Sequence, residues 1–317
     1  MPLQPRVLHS YHNHLLDSSR WELYTPKDDD IIVCSSYKSG SIWLQYILKN
    51  LVNYHQNNNL KSPLFLSWID YRGNAPESLR NFLAKPERRV LKSHLPLDGI
   101  PYFPQVKYIV LARDPRDVCM SLWDYYTTIS PSFLQLINES IPSTYQPLPS
   151  PPASLSAFWQ QWLIKGAFPW QHEGYPFWGN MYHTQSWWNY RHLENILFVH
   201  YNDLLANLAQ EINVLARFID TDTKKVAHVA QRCTFSVMKK NARFIIPEAE
   251  HIFANGAECL IHKGRNGRWL GRLSEDDLAL VEIAKVANLN QECGLWIEKG
   301  RTALTPHQHR KPRVPAT

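Results

Sequence analysis

The 317 residues, 44% hydrophobic and 20% charged, have the make-up of a globular chain with room for one large domain or two ordinary ones, which excludes wholesale disorder. The formal net charge is +6, but Arg301, Arg310, Lys311 and Arg313 stand in the last 17 residues, which hold no Asp or Glu, so the rest carries only +2. A body so nearly neutral gives little support to a nucleic-acid partner.

In chain order, the first element is the apolar run IIVC at 31–34, which suits a strand buried on both faces. The polar loop SSYKSG at 35–40 leads into a helix from Ser41, with Leu44, Ile47, Leu48 and Leu51 at helical spacing. A short strand, RVLK at 89–92, ends at Ser93, His94, Leu95 and Pro96. A stronger one, VKYIVLA at 106–112, ends at Arg113, after which Asp114 fits an N-cap and Pro115 the first helical position. Residues 127–190 are rich in proline, and six of the twelve Trp fall between Trp159 and Trp188. So long a connection predicts a functional lid or pocket wall, here an acceptor-site segment; the bland alternative is aromatic padding around a peripheral helix pair. A fourth strand, ILFV at 196–199, ends at His200 and Tyr201, and Asn202 or Asp203 is expected to cap one helix over 204–218. Residues 301–317 read as a basic, flexible tail.

Strands alternating with helices predict an α/β fold: one domain, residues 1–300, with a central parallel sheet flanked by helices and right-handed crossovers. Ligands of such sheets sit beyond the carboxyl ends of the strands, where the polar residues just named are found. The five cysteines are scattered, with no CxxC, and read as reduced thiols. No stretch has the makings of a signal peptide or a membrane span, so a cytoplasmic location is expected. His9, His12 and His14 read as incidental, flexible terminal histidines, and no metal is expected.

Four constellations carry chemistry. Lys38, Ser39, Gly40 and Ser41 join a strand to a helix, where backbone N–H groups and the helix dipole make an anion site. The Lys precedes the Gly, so this is not the GxxxxGK[ST] loop. Arg113 and Ser121, a strand end and a position two turns into the next helix, could hold a second phosphate; Arg116 could be a solvated charge. Lys92, Ser93 and His94 put a potential general base at another strand end. Lys263, Gly264, Arg265, Asn266, Gly267, Arg268 and Trp269 form a cationic, glycine-bearing loop suited to closing over a phosphorylated ligand.

Together, and in this order, the four resemble the cytosolic-type sulfotransferase family, whose co-substrate is 3′-phosphoadenosine 5′-phosphosulfate (PAPS). Lys38 to Trp43 (KSGSIW) is similar to the family's KSGTTW loop, Lys92 to Pro96 (KSHLP) to its KTHLP, and Arg113 to Ser121 to its 3′-phosphate motif. The segment from Lys263 to Trp269 resembles RKGxxGDW, Tyr201 stands where the family has the Tyr of YED, and Thr234 and Phe235 where it has an adenine-facing Ser-Phe. The resemblance covers about residues 20–300 and implies a P-loop-like domain of the sulfotransferase and nucleotide-kinase kind. It implies His94 as base, Lys38 and Lys92 as catalytic cations, and PAPS held by Lys38, Ser39, Gly40, Ser41, Ile42, Trp43, Arg113, Ser121, Tyr201, Thr234, Phe235, His262, Lys263 and Gly264. By the same resemblance, Ser39 restrains Lys38 until the acceptor arrives.

Departures from the pattern are Tyr37 for a Pro, Ile42 for a Thr, Cys233 for a Thr, Arg268 for an Asp, and His262 for the Arg that grips the 3′-phosphate. Arg265 and Arg268 are the candidates to replace that cation. The family's dimer segment is not recognisable at 270–274, and a homodimer remains an expectation. Composition predicts a hydrophobic or aromatic small-molecule acceptor, or a lipid-linked sugar. The alternatives are a P-loop small-molecule or nucleotide kinase needing ATP and Mg²⁺, a non-catalytic nucleic-acid-binding protein using the basic tail, and a family member that binds nucleotide without turnover.

Overall fold

The computed structural model describes residues 4–53, 67–254 and 256–303. Strands β1 (Ile31–Ser35), β2 (Val90–Ser93), β3 (Lys107–Ala112) and β4 (Ile196–His200) pair in parallel in the order β2-β1-β3-β4. Each lies within one residue of the bounds read from the apolar runs. The reason is the pleat, which sends alternate side chains to opposite faces. In β1, Ile32 and Cys34 enter one core and Ile31 and Val33 the other; in β3, Tyr108, Val110 and Ala112 face the first, Ile109 and Leu111 the second. Both faces are covered, so these strands read as continuous apolar runs.

Helix α1 (Ser41–Val52) covers the second core, burying Leu44, Ile47, Leu48 and Leu51 as its spacing predicts. The helices Leu155–Ile164 and Asn180–Trp188 cover the first. Residues 127–190, read from the sequence as one long connection, are largely helical. They form three helices, the first being Pro131–Ser140, and Trp159, Trp162, Trp187 and Trp188 are core residues at 0–2% exposure. Large aromatic area is most stabilising when wholly removed from water, and these four indoles spend it on the sheet rather than on a pocket.

The helix Pro115–Thr127 begins as predicted, with Pro115 in its first turn and the Asp114 carboxylate accepting from Arg116 N–H at 2.9 Å. Elsewhere local geometry overrode the pattern. The helix expected over 204–218 is two, Tyr201–Ala206 and Leu208–Phe218, because Asn207 has non-helical dihedrals (φ −151°, ψ 83°) and its side chain caps Gln210 N–H at 3.1 Å. The cap of the first is His200, whose Nδ1 accepts from Asn202 N–H at 3.1 Å, not Asn202 or Asp203. The domain runs on past 300: Gly300–Ala303 form a 3-10 turn, and Arg301 pairs with Glu211 at 2.8 Å. The remaining expected tail, 304–317, lies outside the described residues. The N-terminal histidines are built in: His14 is buried and its pKa pushed down to about 3 by that burial, and His12 lies 3.2 Å from Asp17.

Because β2 and β3 pair on opposite sides of β1, the connections part company between β1 and β3. A crevice opens there beyond the strand ends, where ligands of such sheets bind. The segments that follow β1, β2 and β3 deliver Lys38, His94 and Arg113 to it.

Candidate active site

One cavity at this sheet edge is lined by Lys38, Gly40, Ser41, Ile42, Trp43, Lys92, His94, Arg113, Ser121, Tyr201, Phe235, His262, Lys263 and Gly264, all foreseen from the sequence. Two foreseen residues are absent from its wall. Ser39 is 1% exposed and its hydroxyl meets the Tyr37 carbonyl at 3.4 Å. Thr234 caps the helix Phe235–Lys240 through Val237 N–H, which occupies its hydroxyl.

The loop after β1 turns sharply: Lys38 has φ 56° and Gly40 φ 105°. Gly40 leaves room for the Tyr201 ring, which a Cβ would meet at 2.7 Å. The first N–H groups of α1, which have no intrahelical acceptor, follow at once. Lys38 is half-buried over the Tyr125 ring, 5.2 Å from its centroid, and Lys92 lies 4.2 Å from that of Trp68. Burial, then the charge of Arg113, pushes the Lys38 pKa down to about 8. Burial pushes Lys92 down to about 7, with Asp70 opposing and Lys38 assisting.

His94 is 5% exposed. Its backbone N–H donates to Asp70 Oδ2 at 3.1 Å, and its Nδ1 lies 2.5 Å from the Ser35 carbonyl on the neighbouring strand. A carbonyl only accepts, so Nδ1 carries the proton and Nε2 is the basic nitrogen. The ring packs between Trp68 and Trp178. Burial, followed by the charge of Lys92, holds the imidazole pKa well below 6.5.

Arg113 donates from Nε to Asn266 Oδ1 at 2.9 Å and from Nη2 to the Arg265 carbonyl at 3.0 Å, with its guanidinium 4.3 Å from the Tyr201 centroid. The cationic loop is thereby docked on the end of β3. Asp117 fixes it again by accepting from Gly267 and Arg268 N–H groups at 3.0 and 3.2 Å. Gly264 (φ 59°) lies on Phe235, whose ring a Cβ would strike at 2.3 Å. Arg116 is not a solvated charge: it pairs with Asp114 at 2.7 Å and Glu298 at 3.3 Å.

Leu15, Tyr37, Trp68, Leu122, Tyr125, Phe177 and Trp178 complete the wall near Lys38 and His94, and of the Trp-rich segment only the last two reach it. Nothing in the local sequence marked Trp68 or Asp70, which lie between predicted elements. Six cationic side chains face the cavity (Lys38, Lys92, Arg113, Lys263, Arg265 and Arg268) and, among the described residues, no carboxylate lines it. Such a surplus of positive charge, with Lys263 and Arg265 exposed and the other four withdrawn from solvent, fits a ligand with several negative charges.

The profile of a known family, described as Sulfotransferase domain, matches residues 28–289. The chain belongs to the sulfotransferase family. Curated relatives include a glycolipid sulfotransferase of Mycobacterium bovis, 28% identical over 96% of this chain and 98% of that protein, and sulfotransferase 1A1 of Bos taurus, 26% identical over 76% and 77%. Among solved structures, mouse sulfotransferase SULT7A1 complexed with PAP has a TM-score of 0.63 at 22% identity, covering 89% of this chain and 91% of that one. Retinol dehydratase in complex with retinol and PAP scores 0.64 at 23% identity, with 86% and 84% covered. These two show the shared fold. As a sulfotransferase the chain is a transferase that draws on PAPS, and the cations that line the cavity fall within the matched residues.

Proposed function

We propose that this sulfotransferase moves the sulfuryl group of PAPS to a hydroxyl or amine of a hydrophobic small-molecule or glycolipid acceptor, by in-line attack with His94 as the base. The observation that carries the proposal is one cavity lined by Lys38, Lys92 and His94 and also by Arg113 and Ser121. A nucleotide with a 5′-phosphosulfate and a 3′-phosphate offers such a set of cations two anionic groups. The turn at Gly40 fits a phosphosulfate, since it leaves backbone N–H groups open at the start of α1. Ser41 adds a hydroxyl, and Ile42 supplies only its N–H where the family has a second one. Trp43, Tyr201, Phe235 and Gly264 suit the nucleoside between, Trp43 being fixed by its Nε1–H bond to the Cys233 carbonyl at 2.7 Å. Arg113 and Ser121, with the His262 and Lys263 loop, receive the 3′-phosphate.

The acceptor end favours an apolar body carrying one nucleophilic group: Trp68, Tyr125, Phe177 and Trp178 surround the approach to His94. As the acceptor oxygen bonds to sulfur, its proton passes to His94 Nε2, and the bond from sulfur to the bridging phosphate oxygen breaks. Lys38 neutralises the charge left on that oxygen and Lys92 the equatorial sulfuryl oxygens, so the acceleration comes from positioning and electrostatics. Proton transfer to a positioned base contributes ~10²–10⁴. A glycolipid acceptor is supported by the name of the mycobacterial relatives. Five cysteines, all free, support a cytoplasmic enzyme. We propose a homodimer as well, checked by light scattering.

The test is transfer of labelled sulfate from PAPS to a panel of phenols, hydrophobic alcohols, glycolipids and free sugars, alongside calorimetry with PAP. Transfer to the apolar members is expected. Equal rates on free sugars would contradict the acceptor assignment, and PAP binding without transfer to any member would mark a binding protein.

A further inference from the structure

We infer that Arg268 is the principal cation for the 3′-phosphate of the nucleotide, an assignment that rests on the PAPS reading above and adds a residue to it. Arg268 follows the loop glycines, and its backbone N–H donates to Asp117 Oδ1 at 3.2 Å. Its guanidinium, through Nη2, pairs with Asp124. Asp117 and Asp124 stand on the helix Pro115–Thr127 with Ser121 between them, four residues from one and three from the other. On a helix those spacings share a face. The arginine therefore spans about two turns along the surface that bears Ser121, roughly 10 Å by helical rise.

Its side chain is only 7% exposed, and it lines the same cavity as Arg113 and Ser121. Among the described residues Nε and Nη1 have no partner, so they are available to a ligand while Nη2 stays on Asp124. Arg113 is differently placed: each of its three nitrogens already donates to a protein acceptor, at Asn266, Lys38 and Arg265. These bonds dock the loop and leave Arg113 two of its five N–H groups for the phosphate. His262 is already engaged by a carboxylate. Its Nδ1 lies 3.2 Å from the same Asp124, and burial keeps its pKa below the usual 6.5. Lys263 and Arg265 are exposed at the rim. Arg268 alone of the loop cations is both held and oriented by two carboxylates, and a fork-shaped donor suits a phosphate oxygen pair.

The experiment is calorimetry of PAP and of adenosine 5′-monophosphate, which lacks the 3′-phosphate, with the wild type, Arg268→Ala and Arg268→Lys. Wild type should prefer PAP strongly. Arg268→Ala should lose roughly 10- to 100-fold in PAP affinity while its affinity for the monophosphate stays within about twofold; Arg268→Lys should recover part of the loss. Asp124→Asn, which keeps the shape but frees the guanidinium, should lower PAP affinity less than Arg268→Ala does. Should Arg268→Ala not fold, the lysine and Asp124→Asn variants carry the comparison. Equal losses for both nucleotides, or undiminished preference for PAP in Arg268→Ala and Arg268→Lys, would overturn the assignment alone. A wild type indifferent to the 3′-phosphate would overturn the PAPS reading and this assignment with it.

Discussion

The imidazole of His94 and the carbonyl of Ser35 meet across the ends of β2 and β1, Nδ1 to O, at 2.5 Å. The contact fixes the tautomer, since only Nδ1–H can donate to a carbonyl, and it aims the basic Nε2 away from the sheet. Replacing His94 by Ala is expected to lower kcat by ~10²–10⁴ and leave PAP affinity within a few-fold, measured by single-turnover kinetics and calorimetry on the same preparation. Turnover near wild type would remove His94 from the base role.

The two lysines make binding depend on pH. Burial lowers Lys38 to about 8 and Lys92 to about 7 in the free protein. A bound anion favours the charged ammonium, so each pKa rises on binding and a proton is taken up wherever the free lysine is neutral. Affinity for PAP should therefore be level below the free values and fall as pH climbs through 7–9, by up to about tenfold per pH unit for each proton taken up. Lys38→Arg should flatten the Lys38 part of the profile, because guanidinium stays charged throughout. Affinity that improves with pH would contradict the assignment.

Tyr37 holds the β1 loop to the aromatic wall. Its hydroxyl accepts from Trp162 Nε1 at 2.6 Å and donates to the Trp178 carbonyl at 2.6 Å. Tyr37→Phe leaves both groups buried without that partner, at about 1–3 kcal/mol for each. Urea denaturation should show a loss of about 2–6 kcal/mol for the two together. An unchanged midpoint would mean that other partners replace the hydroxyl.

Gly40→Ala combines a left-handed backbone with a ring contact at 2.7 Å from Tyr201. The backbone strain alone costs about 1–3 kcal/mol. Because the same turn presents the N–H groups of α1, PAP affinity is expected to drop at least tenfold, read by calorimetry on folded protein. Normal affinity would show that the phosphosulfate does not sit at this turn.

The parallel sheet and the start of the helix Pro115–Thr127 were readable without coordinates because their causes are local. Apolar runs such as that of β3 record two covered faces, and an Asp followed by Pro records a cap and a first turn. The convergence of Lys38, His94 and Arg113 was readable too, since each ends a strand and a parallel sheet gathers such ends on one edge. The break at Asn207 was not readable as one, because the apolar spacing at 204, 205, 208, 212 and 215 continues across a residue whose backbone is not helical.

The chain's order of residues thus determined which strands form, which edge they share and which groups gather there. Only the tertiary structure decided how those groups are held. Trp159, Trp162, Trp187 and Trp188 went to the core while Trp68 and Trp178 went to His94, although nothing local separates the two sets. Asp124 found Arg268 and His262 at separations of 144 and 138 residues. Contacts of that span depend on how whole elements pack, and pairing, tautomer and lysine charge depend in turn on those contacts.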